Sequence, residues 1–404
     1  MPVFFLVVLG IYGAMHSYLL LKLCIAFPGL GRWRLALAGF MLLMIVAPLL
    51  ARLLERWRHL LPASAVGLVG YLWLAVIFWF CVLMIPVDAW NLAVRAVCLA
   101  APAARSALVP ARAALVAIGG IIVLGLCWGL VEASRLRLKT LTVEVPHLSP
   151  GGRALRLAQI SDLHLGPRSS RRRVAQVAAL IKQAQPDILV STGDLVDSSF
   201  ADAASLAAPF RDIHPPLGKF AVLGNHEFYA GLEHSLAFHE AAGFRVLRGE
   251  CVTLGEGLRL AGVDDPAGWR GGDGSRTQER DVLSAGEEPL VTVLLKHRPE
   301  VDEASLGRFR LQLSGHTHGG QIFPFHLVTR LMYPLYTGRH ELPKGSTLYA
   351  SRGAGTWGPP LRVLSPREVV LITLKPASPA PSGTMAAEAP RRQQPTTEVH
   401  GDGQ

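Results

Sequence analysis

The sequence contains few cysteines and no pair of the form Cys-x-x-Cys. Five of its 404 residues are cysteines, and four of these fall in the hydrophobic first third of the chain. This spacing gives no disulfide framework. A chain of this length has room for two or three domains. We interpret the cysteines as small apolar residues: Cys24, Cys81, Cys98, Cys127 and Cys251.

Features of nucleic-acid-binding proteins are also missing. The formal net charge is +10, which is typical both of nucleic-acid-binding proteins and of proteins whose membrane spans are flanked by basic loops. The sequence has no RNA- or DNA-binding module and no basic stripe interleaved with aromatic residues. Many of its arginines flank hydrophobic runs instead. The charge therefore favours a membrane location over nucleic-acid binding.

Hydrophobic residues make up 50% of the chain, and the excess lies in the first third. Four runs approach or exceed the ~20 residues needed to cross the hydrocarbon core of a bilayer, at 3–27, 35–54, 63–87 and 113–131. The first run lacks a basic start and is too long for a cleavable signal peptide. A weaker segment at 90–104 is predicted to be an interfacial helix or loop, with a fifth span as the alternative.

We therefore predict a multi-pass region of about four transmembrane helices at residues 1–139 and a location in the cell membrane, with membrane lipids as partners. Lysines and arginines flanking these runs divide six against six between the two sides. Because the positive-inside rule depends on an imbalance, it favours neither side of the membrane for the remainder of the chain.

The composition changes after a predicted linker at 140–152, which contains the letters SPGG. Alternating or buried apolar runs predict strands, helical spacing predicts helices at 172–185 and 233–243, and the mixture predicts a layered α/β domain at 153–375. Residues 265–289 are predicted to be a surface loop. A tail at 376–404 lacks the apolar content to fold and is predicted to be disordered. The predicted strands are at 154–160, 186–192, 219–224, 258–263, 291–296, 308–314 and 368–374.

Polar residues that bind metals follow five of these strands. In a layered α/β domain the carboxyl ends of strands share an edge where ligands bind, so we expect these residues to meet in one cleft. Each short motif alone is commonly a turn or a helix cap, but five in succession favour a metal site. The residues are Asp162 and His164; Asp194 and Asp197; Asn225, His226 and Glu227; His297; and His316 and His318.

The donor types indicate which metals this cleft would hold. Carboxylate, amide and imidazole groups without cysteine suit Mn, Fe or Zn in an open catalytic site better than a closed structural zinc. Seven of these ten residues are plausible ligands. Seven ligands are too many for one ion and suit two ions that share a carboxylate. Two such ions ~3.5–4 Å apart stabilise the attacking and leaving oxygens of a phosphoryl transfer.

The five motifs, read in order as SDLHLG, TGDLVD, GNHE, KHRPE and SGHTHGGQ, resemble the calcineurin-like metallophosphoesterase family. The resemblance covers about residues 153–373 and is strongest to the membrane-attached, phosphodiesterase-like bacterial branch. It implies an N-terminal α-helical transmembrane region followed by a four-layer α/β/β/α sandwich.

The resemblance also implies roles for individual residues. A hydroxide held by two metal ions would attack phosphorus. His226 would not be a ligand but would lie beside the phosphate, where it stabilises charge or protonates the leaving oxygen. The seven ligands would divide between the ions, with Asp162, His164 and His318 on the first, Asn225, His297 and His316 on the second, and Asp194 on both.

Several other polar residues have less specific interpretations. We expect Asp197 and Glu227 to be hydrogen-bonding partners of the ligands or turn residues. Asp264 and Asp265 follow a predicted strand, and we expect them to lie in a turn, with a position lining the cleft as the alternative. We expect His16, in the first apolar run, to form a helix–helix hydrogen bond.

These observations together predict a membrane-anchored, dinuclear metal-dependent phosphohydrolase. The predicted reaction is cleavage of a phosphodiester or pyrophosphate bond in a lipid-linked or nucleotide-linked substrate. The alternative is a metal-binding sensor or scaffold domain coupled to the membrane spans. Loss of a ligand would favour that alternative, and every expected ligand is present.

Overall fold

A computed structural model describes residues 2–57, 60–145, 153–166, 171–198, 203–255, 257–275, 277–284 and 291–376 of the chain. Two parts are evident in its order of elements. Helices occupy the first third, and a mixed α/β region follows them.

Four long helices form the N-terminal part, and each is long and apolar enough to cross a membrane. They overlap the four predicted spans. The segment at 90–104 has no separate long helix in the described residues: residues 90–97 continue the third helix, and a 3₁₀ turn follows at Pro102–Ala107. No glycine or proline occurs between residues 87 and 98 to end that helix. The helices are α1 (Pro2–Ala26), α2 (Trp33–Arg56), α3 (Leu60–Val97) and α4 (Ala111–Ser134).

His16 lies buried between two of these helices. Its Nδ1 contacts the carbonyl oxygen of Tyr12 at 2.7 Å, and its Nε2 accepts a hydrogen bond from Nε1 of Trp73 in α3 at 2.8 Å. The imidazole therefore has a partner at both nitrogens. The helix–helix hydrogen bond predicted for His16 is present.

Twelve strands within the described residues form two six-stranded sheets. The first has the order β1-β12-β2-β3-β4-β5, and the second has the order β10-β11-β9-β8-β7-β6. The strands are β1 (Leu136–Val145), β2 (Leu155–Ile160), β3 (Ile188–Ser191), β4 (Lys219–Ala221), β5 (Arg245–Val246), β6 (Glu250–Leu254), β7 (Leu258–Gly262), β8 (Val291–Leu295), β9 (Leu311–Ser314), β10 (Gly338–Glu341), β11 (Thr347–Ala350) and β12 (Arg367–Pro376).

The two sheets face each other across an apolar layer and carry helices on their outer faces. Alternation along β2 illustrates the arrangement, because Leu157 points into the layer between the sheets while Ala158 and Ile160 point toward the helices. The predicted α/β/β/α sandwich is confirmed. The remaining helices are α5 (Arg171–Ala184), α6 (Ala203–Arg211), α7 (Asn225–Ala230), α8 (Leu232–Ala241), α9 (Pro266–Gly271), α10 (Glu279–Ser284) and α11 (His326–Met332).

Two predicted boundaries require correction. The predicted linker at 140–152 begins inside β1, which pairs in parallel with β12 over ten residues and buries Val143 and Val145 between the sheets. The predicted loop at 265–289 contains α9 and α10. Asp265 caps α9 by accepting from the backbone N–H of Ala267 at 2.8 Å, and α10 buries Val282 against the second sheet. Residues 146–152 and all of the predicted tail except Pro376 lie outside the described residues.

The helical part contacts the α/β part directly. One residue separates the end of α4 from the start of β1. Near that junction Glu132 accepts a hydrogen bond from the backbone N–H of Leu364 at 2.9 Å, and the backbone N–H of Arg362 donates to the carbonyl oxygen of Gly129 at 3.1 Å. The last turns of α4 are thereby attached to the loop that precedes β12.

Candidate metal centre

The predicted site residues all lie just beyond the carboxyl ends of five strands. In the first sheet β2, β3 and β4 are parallel neighbours, and in the second sheet β8 and β9 are parallel neighbours. Their carboxyl ends meet at one edge of the sandwich, as the topology of parallel strands requires. This edge brings together residues 162–164, 194–197, 225–227, 297 and 316–318.

One cluster at this edge contains Asp162, His164 and His318, whose potential ligand atoms lie within 4.8 Å of one another. The Nε2 atoms of the two histidines are 3.0 Å apart, and their rings stack with centroids 4.9 Å apart. Oδ1 of Asp162 is 3.7 Å from Nε2 of His318. All three side chains are buried. These residues could hold one divalent ion.

A second cluster contains Asp194, His297 and His316. Nε2 of His297 lies 3.2 Å from Oδ2 of Asp194 and 3.1 Å from Nδ1 of His316. The same Oδ2 of Asp194 is 3.8 Å from Nε2 of His164 in the first cluster. The two clusters therefore adjoin at the carboxylate of Asp194.

Asn225 is held near Asp194 by its neighbour in the chain. The backbone N–H of His226 donates to Oδ1 of Asp194 at 2.9 Å, so the start of α7 lies on the carboxylate. Asn225 is buried, and its Oδ1 has no hydrogen-bond partner. A buried amide oxygen without a donor is costly unless something else supplies its partner.

Oxygen and nitrogen atoms at this edge of the sandwich are suited to coordinate divalent metal ions. Oδ2 of Asp162, like Oδ1 of Asn225, is buried without a hydrogen-bond partner. Three histidines are held at the nitrogen that faces away from the clusters: His297 Nδ1 by the carbonyl of Thr192 at 2.8 Å, His316 Nε2 by the hydroxyl of Tyr333 at 3.0 Å, and His164 Nδ1 by Asp197 at 3.1 Å. Such contacts fix each ring with its other nitrogen directed into the cluster, which is the orientation that a metal ligand requires.

The backbone at the site has an uncommon conformation. Non-glycine residues rarely adopt positive φ, and such residues concentrate at functional sites. Five of the candidate ligands have φ between 50° and 72°, namely Asp162, His164, Asp194, His316 and His318. The loops are therefore held in a conformation that the chain would not adopt without the surrounding contacts.

Two glycines allow the loops to approach the carboxylates closely. A Cβ at Gly224 would lie 2.2 Å from Oδ1 of Asp194, and a Cβ at Gly315 would lie 2.2 Å from Oδ2 of Asp162. Any side chain at these positions would displace a candidate ligand.

Burial and neighbouring charges shift the pKa values at the site in opposite directions. Burial alone would raise the pKa of Asp194, but His297 and His226 outweigh it and the pKa falls well below its usual range. Burial works to lower the pKa of His297, yet Asp194 raises it to about 10. For His316, burial and the neighbouring His297 together lower the pKa to about 3. Asp194 thus carries its negative charge at the junction of the clusters.

His226 lies at the rim of the two clusters. Its Nδ1 is 2.7 Å from Oδ1 of Asp197, and its ring is 4.7 Å from that of His164. Burial opposes protonation, but Asp194 and Asp197 outweigh it and raise the pKa of His226. The exposed side of the ring faces Tyr229 at 5.5 Å and Trp357 at 5.8 Å between ring centroids. His226 therefore lies at the mouth of the cleft between a carboxylate and two aromatic rings.

The carboxylates of Asp197 and Glu227 support this arrangement. Asp197 contacts both His164 and His226. Glu227 accepts hydrogen bonds from the backbone N–H groups of Asp194 at 2.9 Å, Val196 at 3.0 Å and Gly224 at 2.8 Å. The predicted role of both as partners of the ligands matches these contacts.

Sequence reasoning missed three supporting residues. Arg362 is fully buried and lies 3.0 Å from Nδ1 of His318. Tyr333 contacts His316. Gln321 donates to the carbonyl of Trp357 at 2.8 Å and accepts from its N–H at 2.9 Å. Of these three residues, only Gln321 could have been noticed in the sequence, because it is the last residue of the HGGQ motif.

Asp264 and Asp265, predicted as turn residues, are buried ion-pair partners. Asp264 pairs with Arg248 at 2.9 Å, and Asp265 pairs with Arg298 at 2.7 Å. Arg248 lies 16 residues from Asp264 and Arg298 lies 33 residues from Asp265, so no local sequence pattern could reveal these ion pairs.

Comparison with known proteins agrees with this geometry. The model of the calcineurin-like phosphoesterase family matches residues 155–320. An uncharacterized metallophosphoesterase from Aquifex aeolicus is 44% identical over 246 residues, which are 61% of this chain and 94% of that protein. A transmembrane protein with metallophosphoesterase domain from Danio rerio is 32% identical over 268 residues, 62% of this chain and 60% of that protein.

Similarity to solved structures is more distant. NAD nucleotidase from Haemophilus influenzae aligns with a TM-score of 0.36 and 18% identity over 50% of this chain and 46% of that protein. The high coverage of the Aquifex relative, together with the family match, decides the assignment. The chain belongs to the calcineurin-like metallophosphoesterase family of phosphoric ester hydrolases.

Proposed function

We propose that this protein is a membrane-anchored, dinuclear metal-dependent phosphohydrolase that cleaves a phosphodiester or pyrophosphate bond in a lipid-linked or nucleotide-linked substrate. The observation that carries the proposal is the junction of two ligand clusters at Asp194. We further propose that α1 to α4 cross the cell membrane and anchor the hydrolase domain there.

The seven candidate ligands are suited to two ions of Mn, Fe or Zn. When bound, such ions supply Lewis-acid stabilisation of phosphoryl oxygens and a water of lowered pKa. Asp162, His164 and His318 would hold one ion, Asn225, His297 and His316 the other, and Asp194 both. The carboxylate of Asp194 keeps its charge at low pH and so remains available to both sides.

His226 is the group of this chain that is best placed to act on the ester itself. Asp197 holds its Nδ1 at 2.7 Å, which directs the other face of the ring into the cleft. Burial lowers the pKa of His226, but Asp194 and Asp197 raise it overall and so favour the protonated ring. The imidazolium can stabilise negative charge on the phosphate or give its Nε2 proton to the leaving oxygen.

The test is hydrolysis by the full-length protein, purified in detergent and loaded with manganese. A chromogenic phosphodiester and the corresponding phosphomonoester are assayed side by side, with Asp194→Asn as the site variant and Glu233→Gln on the exposed face of α8 as the matched control. We expect the diester to be cleaved by the wild type and the control but not by Asp194→Asn. If the wild type binds two ions and cleaves neither ester, the metal sensor is the better account.

A further inference from the structure

The segment that follows the last metal-site histidine exposes a continuous apolar surface. Between Ile322 and Met332, six large apolar side chains are 44% to 85% exposed, and we call them the apolar ledge: Phe323, Phe325, Leu327, Val328, Leu331 and Met332. Contiguous exposed apolar patches on soluble domains generally mark a binding surface. Arg330 is the one Asp, Glu, Lys or Arg residue in the segment.

The apolar ledge packs against the side of α3. Nε1 of Trp79 donates to the carbonyl oxygen of Phe323 at 2.7 Å, and the rings of Phe78 and Phe325 meet edge to face at 6.0 Å. Phe78 and Trp79 lie at the middle of the 38-residue α3 rather than at its end. The ledge therefore runs alongside a candidate membrane span instead of standing off from it.

Buried contacts join the base of the ledge to the other helices. Ile322 and Leu361 belong to one apolar cluster with Phe80 of α3 and with Ile118 and Ile122 of α4. The ledge is thus the continuation, on the hydrolase domain, of the apolar surface that the helices present.

Both ends of the ledge are attached to the metal centre. His318 precedes it, and Tyr333, which directly follows it, contacts Nε2 of His316 at 3.0 Å. Gln321 binds both the N–H and the carbonyl of Trp357, whose ring lies 5.8 Å from that of His226. The mouth of the cleft therefore opens next to the ledge.

The chemistry of the surroundings identifies what covers the ledge. Val116 and Leu124 of α4, the helix that supplies Ile118 and Ile122 to the cluster at the base of the ledge, are apolar and exposed, so in a membrane protein they face acyl chains. A soluble protein partner would have to displace those lipids. Arg330, in the last turn of α11, is suited to a phosphate headgroup at the bilayer surface.

We propose that the apolar ledge lies in the bilayer at the boundary of headgroups and acyl chains, and that it places the metal centre where the phosphoester of a membrane lipid can enter without leaving the bilayer. This inference rests on the proposed hydrolase function and narrows its substrate class to lipid-linked phosphoesters. The partner of the ledge is the lipid bilayer itself.

The position of the ledge can be measured without any activity. In a full-length variant whose five cysteines are replaced, a single cysteine is introduced by Leu331→Cys on the ledge or by Ala237→Cys on exposed α8, at the far edge of the first sheet. Each is labelled with a fluorophore and reconstituted into phospholipid nanodiscs that contain nitroxide-labelled lipids.

We expect the lipid nitroxide to quench the label at position 331 strongly and the label at position 237 weakly. A water-soluble quencher should give the reverse order. If both labels respond alike, or if the label at position 331 is quenched from water alone, the ledge is not in the bilayer and the inference is overturned, whatever the enzyme hydrolyses.

Hydrolysis then tests the consequence for the substrate. Manganese-loaded protein in nanodiscs is given either a nitrophenyl phosphodiester of diacylglycerol or the water-soluble bis-nitrophenyl phosphate. We expect Leu331→Glu to lower the ratio of lipid to soluble ester turnover about tenfold, as the loss of one buried leucine contact would, and Ala237→Glu to leave the ratio unchanged. An unchanged ratio in Leu331→Glu contradicts lipid delivery by the ledge, whereas wild-type protein inactive on both esters contradicts the hydrolase proposal instead.

Discussion

The Nε2 atoms of His164 and His318 face each other at 3.0 Å, with Oδ1 of Asp162 3.7 Å from the latter. Nδ1 of His164 lies against Asp197 and Nδ1 of His318 against Arg362, so Nε2 of each ring points toward the other. Two imidazole Nε2 atoms and a carboxylate that converge in a buried space are the surroundings of a cation. This cluster is the first of the two sites that the account requires.

Replacing one histidine of that cluster should remove one ion. We expect His318→Ala to reduce the metal content of manganese-saturated, full-length protein from two ions per chain to one, because His297 and His316 of the second cluster remain. Elemental analysis after gel filtration measures the change, with His340→Ala as the control. Two retained ions in His318→Ala would show that His318 is not a ligand.

Glu227 should matter for stability although it touches no substrate. Its two oxygens accept from three backbone N–H groups in the loops that carry Asp194 and Asn225. In Glu227→Gln an NH₂ donor faces backbone donors, which we expect to cost about 1–3 kcal/mol for each orphaned group. The melting temperature should fall, while Glu233→Gln, on the exposed face of α8, should leave it unchanged. Equal melting temperatures for the two variants would refute this role.

Arg362 should be irreplaceable by another long side chain. Its guanidinium donates to the carbonyl oxygens of Gly355 at 2.7 Å, His318 at 3.0 Å and Ser365 at 3.2 Å, and it is fully buried. We expect Arg362→Met to leave these carbonyls without donors at about 1–3 kcal/mol each. Arg362→Lys should also destabilise the fold, because an ammonium cannot reproduce the planar fork.

Chemical denaturation of the three proteins provides the measurement. Arg211→Met, at an exposed position of α6, controls for loss of a positive charge. A midpoint for Arg362→Met that matches the control would show that the carbonyls find other partners and that Arg362 does not organise the loop.

Asp197 should act through the two histidines that it contacts. We expect Asp197→Asn to lower kcat by about 10- to 100-fold, the range typical for loss of a partner that orients a metal-site ligand. The exposed variant Asp212→Asn serves as the control. A fall in kcat without loss of either metal ion would assign the effect to His226, whereas unchanged kcat would exclude a positioning role.

The sequence allowed much of the site to be predicted because the candidate ligands sit in short motifs just after strands, and parallel strands bring their carboxyl ends to one edge. Gly224 and Gly315 belong to those motifs for a reason that became visible only in three dimensions, since each lies against a carboxylate. Arg362 could not be predicted. It occurs in no motif, and its partners Gly355 and His318 are joined to it by tertiary contacts alone.

The fold was predictable where apolar periodicity was strong. β1 was missed entirely, because its first four residues were assigned to the transmembrane region and the others to the linker. It follows α4 after a single residue, and its pairing partner β12 lies more than 200 residues away. The helices α9 and α10 have only six residues each. α9 is stabilised by the cap at Asp265 and α10 by packing of Val282 and Leu283 on the second sheet, neither of which an apolar pattern reveals.

The proposed hydrolase requires that two metal ions share the carboxylate of Asp194. Anomalous diffraction from crystals of the full-length protein soaked in manganese locates such ions. We expect two peaks ~3.5–4 Å apart, one beside Asp162, His164 and His318 and the other beside His297 and His316, with Asp194 between them. A single peak, or two peaks that do not both border Asp194, would contradict this requirement.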